Sequence, residues 1–401
     1  MSKKLFLVIK SIAGLAIGIV FGFVFLFFTA NLPLSFDSQF YKTLGIKKPQ
    51  IIGFQPFWLL QKADKSYEKY INTFTYFSLT LDTDGTIVKL VNSREEEPGW
   101  TTLKSDSLQE RLRQAKKNNL KLSLLIHNSN EASISALLKE PEKHAQNLIG
   151  DAAPIMQKYG FTDLNLDIES FEVASESSQQ QYTAFIKEVK SGVDKNNLGT
   201  LTIEAPPISL VQPRLINVEE IAKIADSIVL MAYDFHYIYS YIAGPVAPIG
   251  GANTVREFDV VTVVKEALNV IPPEKIILGI PLYGYEWETI SDKPGAPTIP
   301  GGSATASNRR VAELLASCDH CTKAYDEQSK QPYVIFQDGA YFHQIYYEDK
   351  QSIKEKLKLA EEHKIAGVAL WALGYEGENL LEPLKTYKKS FYFNPSFRII
   401  N

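Results

Sequence analysis

The sequence has few cysteines and histidines, the residues that bind zinc in structural sites. Its 401 residues include only 2 cysteines and 6 histidines. Cys318 and Cys321 share one CDHC tetrapeptide with His320, which supplies too few ligands for a four-coordinate zinc site. The histidines are scattered, and no pair has the H-x-x-x-H spacing of a helical metal site. The sequence therefore predicts neither a bound metal nor an organic cofactor.

Positive charge is also scarce. The formal net charge is −4, and Lys3, Lys4, Lys10 and Asp37 give the first 40 residues +2, so the remainder carries about −6. A protein that binds nucleic acid needs a basic face to contact the phosphates. We therefore expect no nucleic-acid partner.

Charge is absent altogether between Ser11 and Ala30, a run long enough to cross a bilayer as a helix. Three lysines precede the run, which predicts a cytoplasmic amino terminus and a main body outside the cytoplasm. We divide this part into a basic end (1–10), a transmembrane anchor (11–31) and a tether (32–49). A cleaved signal peptide is the alternative for the apolar segment, and it would leave the body secreted.

This location bears on the two cysteines. Outside the cytoplasm, Cys318 and Cys321 could form a small local disulfide, because that environment is oxidising. Two free thiols in a loop are an equally good interpretation of the same tetrapeptide. The sequence alone does not choose between them.

Eight short apolar runs alternate with longer amphipathic stretches along the rest of the chain. The runs are 51–57, 74–81, 120–126, 163–168, 201–205, 227–231, 276–280 and 367–371. Helical patterns fill most gaps, among them 107–118, 179–194 and 255–269, and this alternation indicates a parallel β/α architecture. Eight units predict an α/β protein with a (β/α)8 TIM barrel over residues 50–395. A doubly wound open sheet is the competing interpretation, but no glycine-rich phosphate loop follows the first run.

The gap between the seventh and eighth runs is by far the longest. Residues 288–350 within it contain proline, glycine and serine, together with short strand patterns of their own. We expect a small α+β insertion above the carboxyl end of the barrel. Active sites of this fold lie on that face, so the insertion would form one wall of a cleft.

The fourth run carries the most informative polar residues. A strand alternates its faces, so Asn165, Asp167 and Glu169 point to one side of the run. A buried polar row of this kind is costly unless it is hydrogen-bonded. An isolated D-x-E pattern more often marks an ordinary charged strand end, so further matches are needed before the row indicates a site.

The row resembles the D-G-x-D-x-D-x-E signature of glycoside hydrolase family 18, the chitinase family. Three later motifs resemble that family in the same order: M-A-Y-D at 231–234, G-I-P-L-Y-G at 279–284 and G-V-A-L-W at 367–371. The sequence departs from the signature at Thr162, where the family has its first Asp, and at Asp163, where it has Gly. Those two positions support the start of the strand and not the acid, so the departure concerns the detailed geometry of the site more than its activity.

A closer resemblance is to the family members that act on bacterial cell walls during spore germination, the peptidoglycan N-acetylglucosaminidase type. Their first motif often reads N-I-D-x-E, and this chain has N-L-D-I-E at 165–169. The segments 244–250, 282–287 and 346–354 support the same subgroup, with less specificity than the family motifs.

The resemblance implies retaining hydrolysis in which the substrate's own 2-acetamido oxygen attacks the anomeric carbon. Glu169 would then protonate the leaving oxygen and later activate water. Asp167 would accept a hydrogen bond from the acetamido N–H, Tyr233 would donate one to the acetamido oxygen, and Asp234 would help hold the distorted sugar. Asn165 completes the catalytic set; since an amide cannot ionise, Asp167 should be less coupled here than in relatives with Asp at this position.

The resemblance also implies a set of substrate-binding residues. Trp371 would form the floor under the sugar, where an indole face packs against C–H bonds, and Met231 belongs to the same motif set as Tyr233. Tyr283, Tyr285 and Trp287 would line neighbouring subsites. A buried structural position is the alternative for Trp371, and for Tyr285 and Trp287 it is about equally favoured.

The predicted partner is a glycan that contains N-acetylglucosamine, such as peptidoglycan, a chitin-type oligomer or a glycoprotein glycan core. A membrane tether favours peptidoglycan, because an anchored enzyme reaches only substrates of the cell envelope. The main rival function is a catalytically inactive carbohydrate-binding protein with the same barrel. A tethered scaffold that displays the insertion to a protein partner is a third interpretation.

Overall fold

The computed structural model describes residues 46–252, 257–390 and 392–393. The predicted basic end (1–10) and the predicted anchor (11–31) lie outside the described residues. Among the helices of the described part, none is both long and apolar enough to cross a membrane.

The structure contains strands and helices in alternation. The strands are β1 (Ile46–Lys47), β2 (Gln50–Pro56), β3 (Thr73–Thr80), β4 (Leu90–Asn92), β5 (Glu95–Glu96), β6 (Lys121–Asn128), β7 (Asp163–Ile168), β8 (Thr200–Ala205), β9 (Ser227–Leu230), β10 (Ile276–Pro281), β11 (Tyr283–Thr289), β12 (Thr298–Ser307), β13 (Thr322–Asp326), β14 (Gln331–Asp338), β15 (Tyr341–Tyr346), β16 (Gly367–Trp371) and β17 (Tyr392–Phe393). The α-helices are α1 (Pro98–Lys104), α2 (Asp106–Lys117), α3 (Glu131–Leu137), α4 (Pro141–Tyr159), α5 (Glu176–Lys195), α6 (Val218–Ile224), α7 (Val260–Val270), α8 (Asn308–Ser317), α9 (Lys350–Glu362) and α10 (Glu382–Tyr387). Short 3-10 helices cover Phe57–Leu59, Tyr67–Lys69, Pro207–Leu210 and Pro273–Lys275.

Eight parallel strands close into a barrel in the order β2, β3, β6, β7, β8, β9, β10 and β16. Each of the eight apolar runs of the sequence corresponds to one of these strands, so the prediction of a (β/α)8 barrel is confirmed. The strands are almost wholly buried, because helices cover the outer face and side chains fill the interior.

The helices cover the barrel with one apolar face each. In α5 the buried side chains are Tyr182, Phe185, Ile186, Val189 and Val193. Their spacing of three to four residues places them on one stripe, which packs against the sheet. The helix begins where the Ser175 side chain accepts a hydrogen bond from the Ser178 N–H, an N-cap that satisfies a free amide of the first turn.

One helix starts later than its pattern predicted. The sequence indicated a helix over 255–269, whereas α7 begins at Val260. The Asp259 side chain accepts a hydrogen bond from the Thr262 N–H and thereby caps the helix at that point. Residues 253–256 lie outside the described part of the chain.

Between β10 and β16 the chain forms a separate five-stranded sheet in the order β12, β11, β15, β14, β13, together with α8. A single residue separates the end of the barrel strand β10 from the start of β11, so the sheet rises directly from the carboxyl end of the barrel. Cys318 and Cys321 form a disulfide just after α8, which answers the question that the sequence left open.

A buried ionic network fixes this sheet to its surroundings. The Lys356 ammonium group lies 2.8 Å from a Glu348 carboxylate oxygen, and both side chains are fully buried. Gln331 donates to the same carboxylate and accepts a hydrogen bond from the Ala247 N–H at 3.0 Å. The loop after β9, the sheet and α9 are therefore held together by paired polar groups, as burial requires.

Candidate active site

Strand β7 carries a row of polar side chains into the barrel. Asp163, Asn165 and Asp167 are all buried and alternate with Leu164 and Leu166 along the strand. Glu169 follows the end of β7 and is half-buried at the mouth of the barrel. The row therefore rises from the amino end of the barrel to the face where active sites of this fold lie.

Asp163, at the amino end of β7, belongs to the interior of the barrel and lies outside the cavity. Its carboxylate accepts hydrogen bonds from Ser123 at 2.7 Å, from Thr202 at 3.0 Å and from Thr200. Burial raises the pKa of Asp163, whereas the nearby Lys121 ammonium and these hydroxyl donors lower it. The departure from the family signature at this position is accommodated by hydroxyl groups of the two neighbouring strands.

Asn165 pairs with a carboxyl group on the next strand. Its side-chain amide donates to Glu204 Oε1 at 2.8 Å, and both residues are buried. Burial, together with the charges of Asp167 and Glu169, raises the pKa of Glu204 well above its usual value, while the Asn165 hydrogen bond lowers it. Such surroundings favour the neutral form of a carboxyl group.

Asp167 pairs with a histidine on the preceding strand. His127 Nδ1 lies 3.0 Å from Asp167 Oδ2, and His127 Nε2 lies 3.2 Å from the Ser129 hydroxyl. Burial lowers the pKa of His127, but the hydrogen bond to Asp167 and the charges of Asp167 and Glu169 outweigh it, so the pKa is raised overall. The second oxygen, Asp167 Oδ1, is buried and has no hydrogen-bond partner within the described part of the protein.

Glu169 has the environment of a proton donor. Burial first, and then the negative charges of Asp167 and Asp234, raise its pKa to about 8 against a decrease from His127. A carboxyl with this pKa keeps its proton at neutral pH, as a general acid must.

A cavity of about 220 Å³ opens where these side chains meet. Six of the predicted site residues line it: Asp167, Glu169, Met231, Tyr233, Asp234 and Trp371. Phe54, Phe77, Leu125 and Glu204 complete its wall. The structure thus brings carboxylates, a phenol and aromatic faces into one concave site, the usual form of a small-ligand pocket.

Asp234 is held in a fixed orientation by two tyrosines from the inserted sheet. Its Oδ1 accepts hydrogen bonds from Tyr283 at 2.5 Å and from Tyr285 at 3.0 Å. Desolvation raises the pKa of Asp234, and these two hydrogen bonds lower it. Asp234 has a positive φ of 59°, a conformation that Asp adopts more readily than most residues. Tyr283 and Tyr285 therefore act on the site indirectly, by holding the Asp234 carboxylate.

Trp371 lies at the end of β16 among other aromatic rings. Its ring centroid is 4.6 Å from that of Phe77 and 5.7 Å from that of Phe54, both in edge-on geometry. Trp58, which the sequence analysis did not select, lies 6.3 Å from Trp371 and is 47% exposed at this edge. The cluster presents aromatic surface beside the carboxylates.

Trp287 is a correction to the predicted substrate-binding set. It is fully buried, and its indole N–H donates to the Tyr237 carbonyl oxygen at 3.1 Å. Its ring packs against Tyr285 and Tyr346, so no face remains for a sugar. Trp287 lies on the same side of β11 as Tyr285, and the loop after β9 covers that side.

Sequence reasoning missed two polar residues of the site, His127 and Glu204. His127 follows the apolar run 120–126 on β6, and Glu204 alternates with Thr202 on β8, so each faces the interior of the barrel. A search for single polar residues at the carboxyl ends of all eight runs would have found both. His236, the histidine nearest to the site in sequence, instead contacts the Pro245 carbonyl oxygen.

His127, Asp167 and Glu169 bring possible metal ligands within 4.8 Å of one another. A histidine and two carboxylates are suitable ligands for a divalent cation. Metal ligands must be deprotonated, however, and the raised pKa of Glu169 and the His127–Asp167 hydrogen bond both oppose this. The arrangement suits proton transfer better than metal binding.

Comparison with known proteins agrees with this geometry. The family model described as Glycosyl hydrolases family 18 matches residues 54–376. The cortical fragment-lytic enzyme of Bacillus subtilis (strain 168) is 27% identical over 327 residues, which cover 79% of this chain and 67% of that protein. The crystal structure of the Bacillus megaterium QM B1551 spore cortex-lytic enzyme SleL has a TM-score of 0.67 at 21% identity, covering 85% of this chain and 74% of that one. The crystal structure of the Ostrinia furnacalis Group IV chitinase has a TM-score of 0.74 at 19% identity, covering 86% of this chain and 100% of that one. These two structures establish likeness of fold.

Proposed function

The chain belongs to glycosyl hydrolase family 18, and from this premise we propose that it cleaves β-linked glycans containing N-acetylglucosamine by a retaining, substrate-assisted mechanism. The observation that carries the proposal is the pairing of two acids in one cavity. Glu169 has a pKa of about 8, and the neighbouring Asp167 offers an unpartnered acceptor oxygen. One group is suited to donate a proton and the other to accept a hydrogen bond.

In the first step, Glu169 donates its proton to the glycosidic oxygen as the bond between that oxygen and the anomeric carbon breaks. The acetamido oxygen of the same sugar forms the new bond to the anomeric carbon from the opposite face, giving a cyclic oxazolinium ion. In the second step, Glu169 accepts a proton from water, and the water oxygen displaces the acetamido oxygen. Two displacements at one carbon retain its configuration.

Asp167 and Tyr233 orient the acetamido group. Asp167 Oδ1, buried and unpartnered, is placed to accept the acetamido N–H and to stabilise the positive charge that develops on the ring. His127 holds the other oxygen of the same carboxylate at 3.0 Å. Tyr233 lines the same cavity, where its hydroxyl would donate to the acetamido oxygen.

The remaining residues position the sugar. Asp234, held by Tyr283 and Tyr285, hydrogen-bonds to the distorted ring, and Trp371 packs against its C–H face. Met231 fills the apolar side of the cavity, a role for which an adaptable side chain is well suited.

We further propose that the natural substrate is peptidoglycan. Two of the proteins that this chain resembles bear the names cortical fragment-lytic enzyme and spore cortex-lytic enzyme. We also propose that residues 11–31 anchor the chain in a membrane, with the barrel outside the cytoplasm. An anchored hydrolase would act on glycans of the cell envelope, and this supports the choice of substrate.

Mass spectrometry of digestion products tests the proposal. The full-length chain is incubated separately with purified peptidoglycan and with N-acetylglucosamine oligomers, beside Glu169→Gln. Glu219→Gln, an exposed glutamate on α6, is the matched control. We expect wild type and the control to produce new reducing ends at N-acetylglucosamine, and Glu169→Gln to be slower by roughly 100- to 10,000-fold. Binding without cleavage in all three proteins would instead support a carbohydrate-binding function.

A further inference from the structure

Glu204 is a buried carboxyl group that the mechanism above does not use. The residue is 3% exposed and lies on β8, next to the strand that carries Asn165 and Asp167. Its Oε1 accepts the Asn165 amide at 2.8 Å, and the side chain lines the catalytic cavity. A buried carboxyl without a structural partner of opposite charge is costly, and such groups are usually retained for function.

The groups around Glu204 are nearly all acidic. Asp163, Asp167 and Glu169 face it from β7 and its end, and Tyr233 faces it from the segment after β9. His127, on β6, is occupied by Asp167. Burial and these like charges hold the pKa of Glu204 well above its ordinary range, which favours the protonated form, a carboxylic acid with one hydrogen to donate.

Acceptors for that hydrogen lie on the neighbouring strand. Asp167 Oδ1 and Asn165 Oδ1 are both buried and lack a hydrogen-bond partner in the described structure. Strands β7 and β8 pair in parallel register up to Leu166 and Ile203, and one further step places Asp167 beside Glu204. A proton donor thus lies next to an unsatisfied carboxylate oxygen.

We propose that Glu204 supplies, from β8, the second buried carboxyl that Asn at position 165 cannot provide, and that it shares its proton with Asp167. This inference rests on the proposed function, because Asp167 matters through the acetamido group. Glu204 acts as a positioning residue: before the sugar binds, the shared proton lies between its carboxyl and Asp167 Oδ1, an oxygen with no other partner among the described residues, and the acetamido N–H displaces it on binding. Asn165 keeps the Glu204 carboxyl oriented by its amide hydrogen bond.

Kinetics of three variants test this role. Glu204→Gln keeps the volume and a hydrogen-bond donor, so kcat/KM at neutral pH should stay within about threefold of wild type. Glu204→Leu leaves Asp167 Oδ1 without a donor and the Asn165 side-chain amide without its acceptor, so kcat/KM should fall about tenfold or more. The double variant Asn165→Asp/Glu204→Gln exchanges the amide and the carboxyl group between two positions that are joined by one hydrogen bond. Its pH profile should return to that of the wild type.

Asn165→Asp alone completes the series, because it adds a further carboxyl to the cluster. Like charges raise the pKa values of neighbouring acids, so the alkaline limb of its pH profile should move to higher pH. The proposal is overturned if Glu204→Leu keeps the wild-type rate and pH profile, or if Glu204→Gln is damaged as severely as Glu204→Leu. The Gln variant and the double variant keep the side-chain volume, which guards against a folding defect.

Infrared spectroscopy separates this inference from the proposed function, because it needs no turnover. At a pH where Glu169 has ionised, the difference spectrum between wild type and Glu204→Gln should contain the carbonyl band of one protonated carboxylic acid. Absence of that band would overturn the assignment even in an active enzyme. Presence of the band in a protein that cleaves no glycan would reject the proposed hydrolysis and leave the protonation of Glu204 intact.

Discussion

The pH dependence of hydrolysis follows from the environment of Glu169. Its pKa of about 8, against an ordinary value of 4.5, arises from burial first and from the Asp167 charge second. At pH 7 roughly 90% of a group with this pKa is protonated, compared with well under 1% for an unperturbed glutamate. The active enzyme needs this proton, so kcat/KM should be near its maximum at neutral pH and should decline about tenfold per pH unit above 8.

The assay is kcat/KM for an N-acetylglucosamine oligomer measured from acid to alkaline pH. Asp167→Asn removes the neighbouring negative charge, so the pKa of Glu169 should fall and the alkaline limb should move to lower pH. The rate of this variant will also decline, because Asp167 contacts the acetamido group, but the position of the limb is independent of the rate. An alkaline limb near pH 5 in wild type, or an unmoved limb in Asp167→Asn, would refute the reasoning.

Two further predictions concern other buried polar pairs. His127→Leu removes the 3.0 Å hydrogen bond to Asp167. A hydrogen bond to a charged group contributes about 1.5–3 kcal/mol, so steady-state kinetics should show kcat/KM lower by about ten- to a hundredfold; a wild-type value would show that His127 does not orient Asp167. Lys356→Met leaves the buried Glu348 carboxylate without its cation and should lower the free energy of unfolding by about 3–5 kcal/mol. Chemical denaturation measures this, with the exposed Lys358→Met as the control, and equal stability of the two variants would contradict the prediction.

The barrel could be predicted from the sequence because its strands are buried on both faces. Such strands are short apolar runs, and two of them, β7 and β16, have the bounds that the sequence indicated. The start of α7 was placed too early, since the apolar pattern extends past the Asp259 cap. A local cap decides where a helix begins, and the periodicity of the apolar residues gives no information about the cap.

The candidate site was predictable where several polar residues share one strand. Asn165, Asp167 and Glu169 form such a row, and the structure brings Asp167 and Glu169 into one cavity. His127 and Glu204 are single polar residues on otherwise apolar strands, so only the closed barrel reveals what they face. Trp287 was predicted to bind substrate, but a tertiary contact with the loop after β9 buries it, and the sequence of its own strand does not reveal that contact.

The stereochemistry of the first product tests the central claim most directly. Proton NMR of a digestion of an N-acetylglucosamine oligomer, recorded before mutarotation, identifies the anomer at the new reducing end. Attack by the acetamido oxygen followed by attack by water predicts the β-anomer from a β-linked substrate, and no product from Glu169→Gln over the same time. An initial α-anomer, or cleavage by Glu169→Gln at the wild-type rate, would contradict the account.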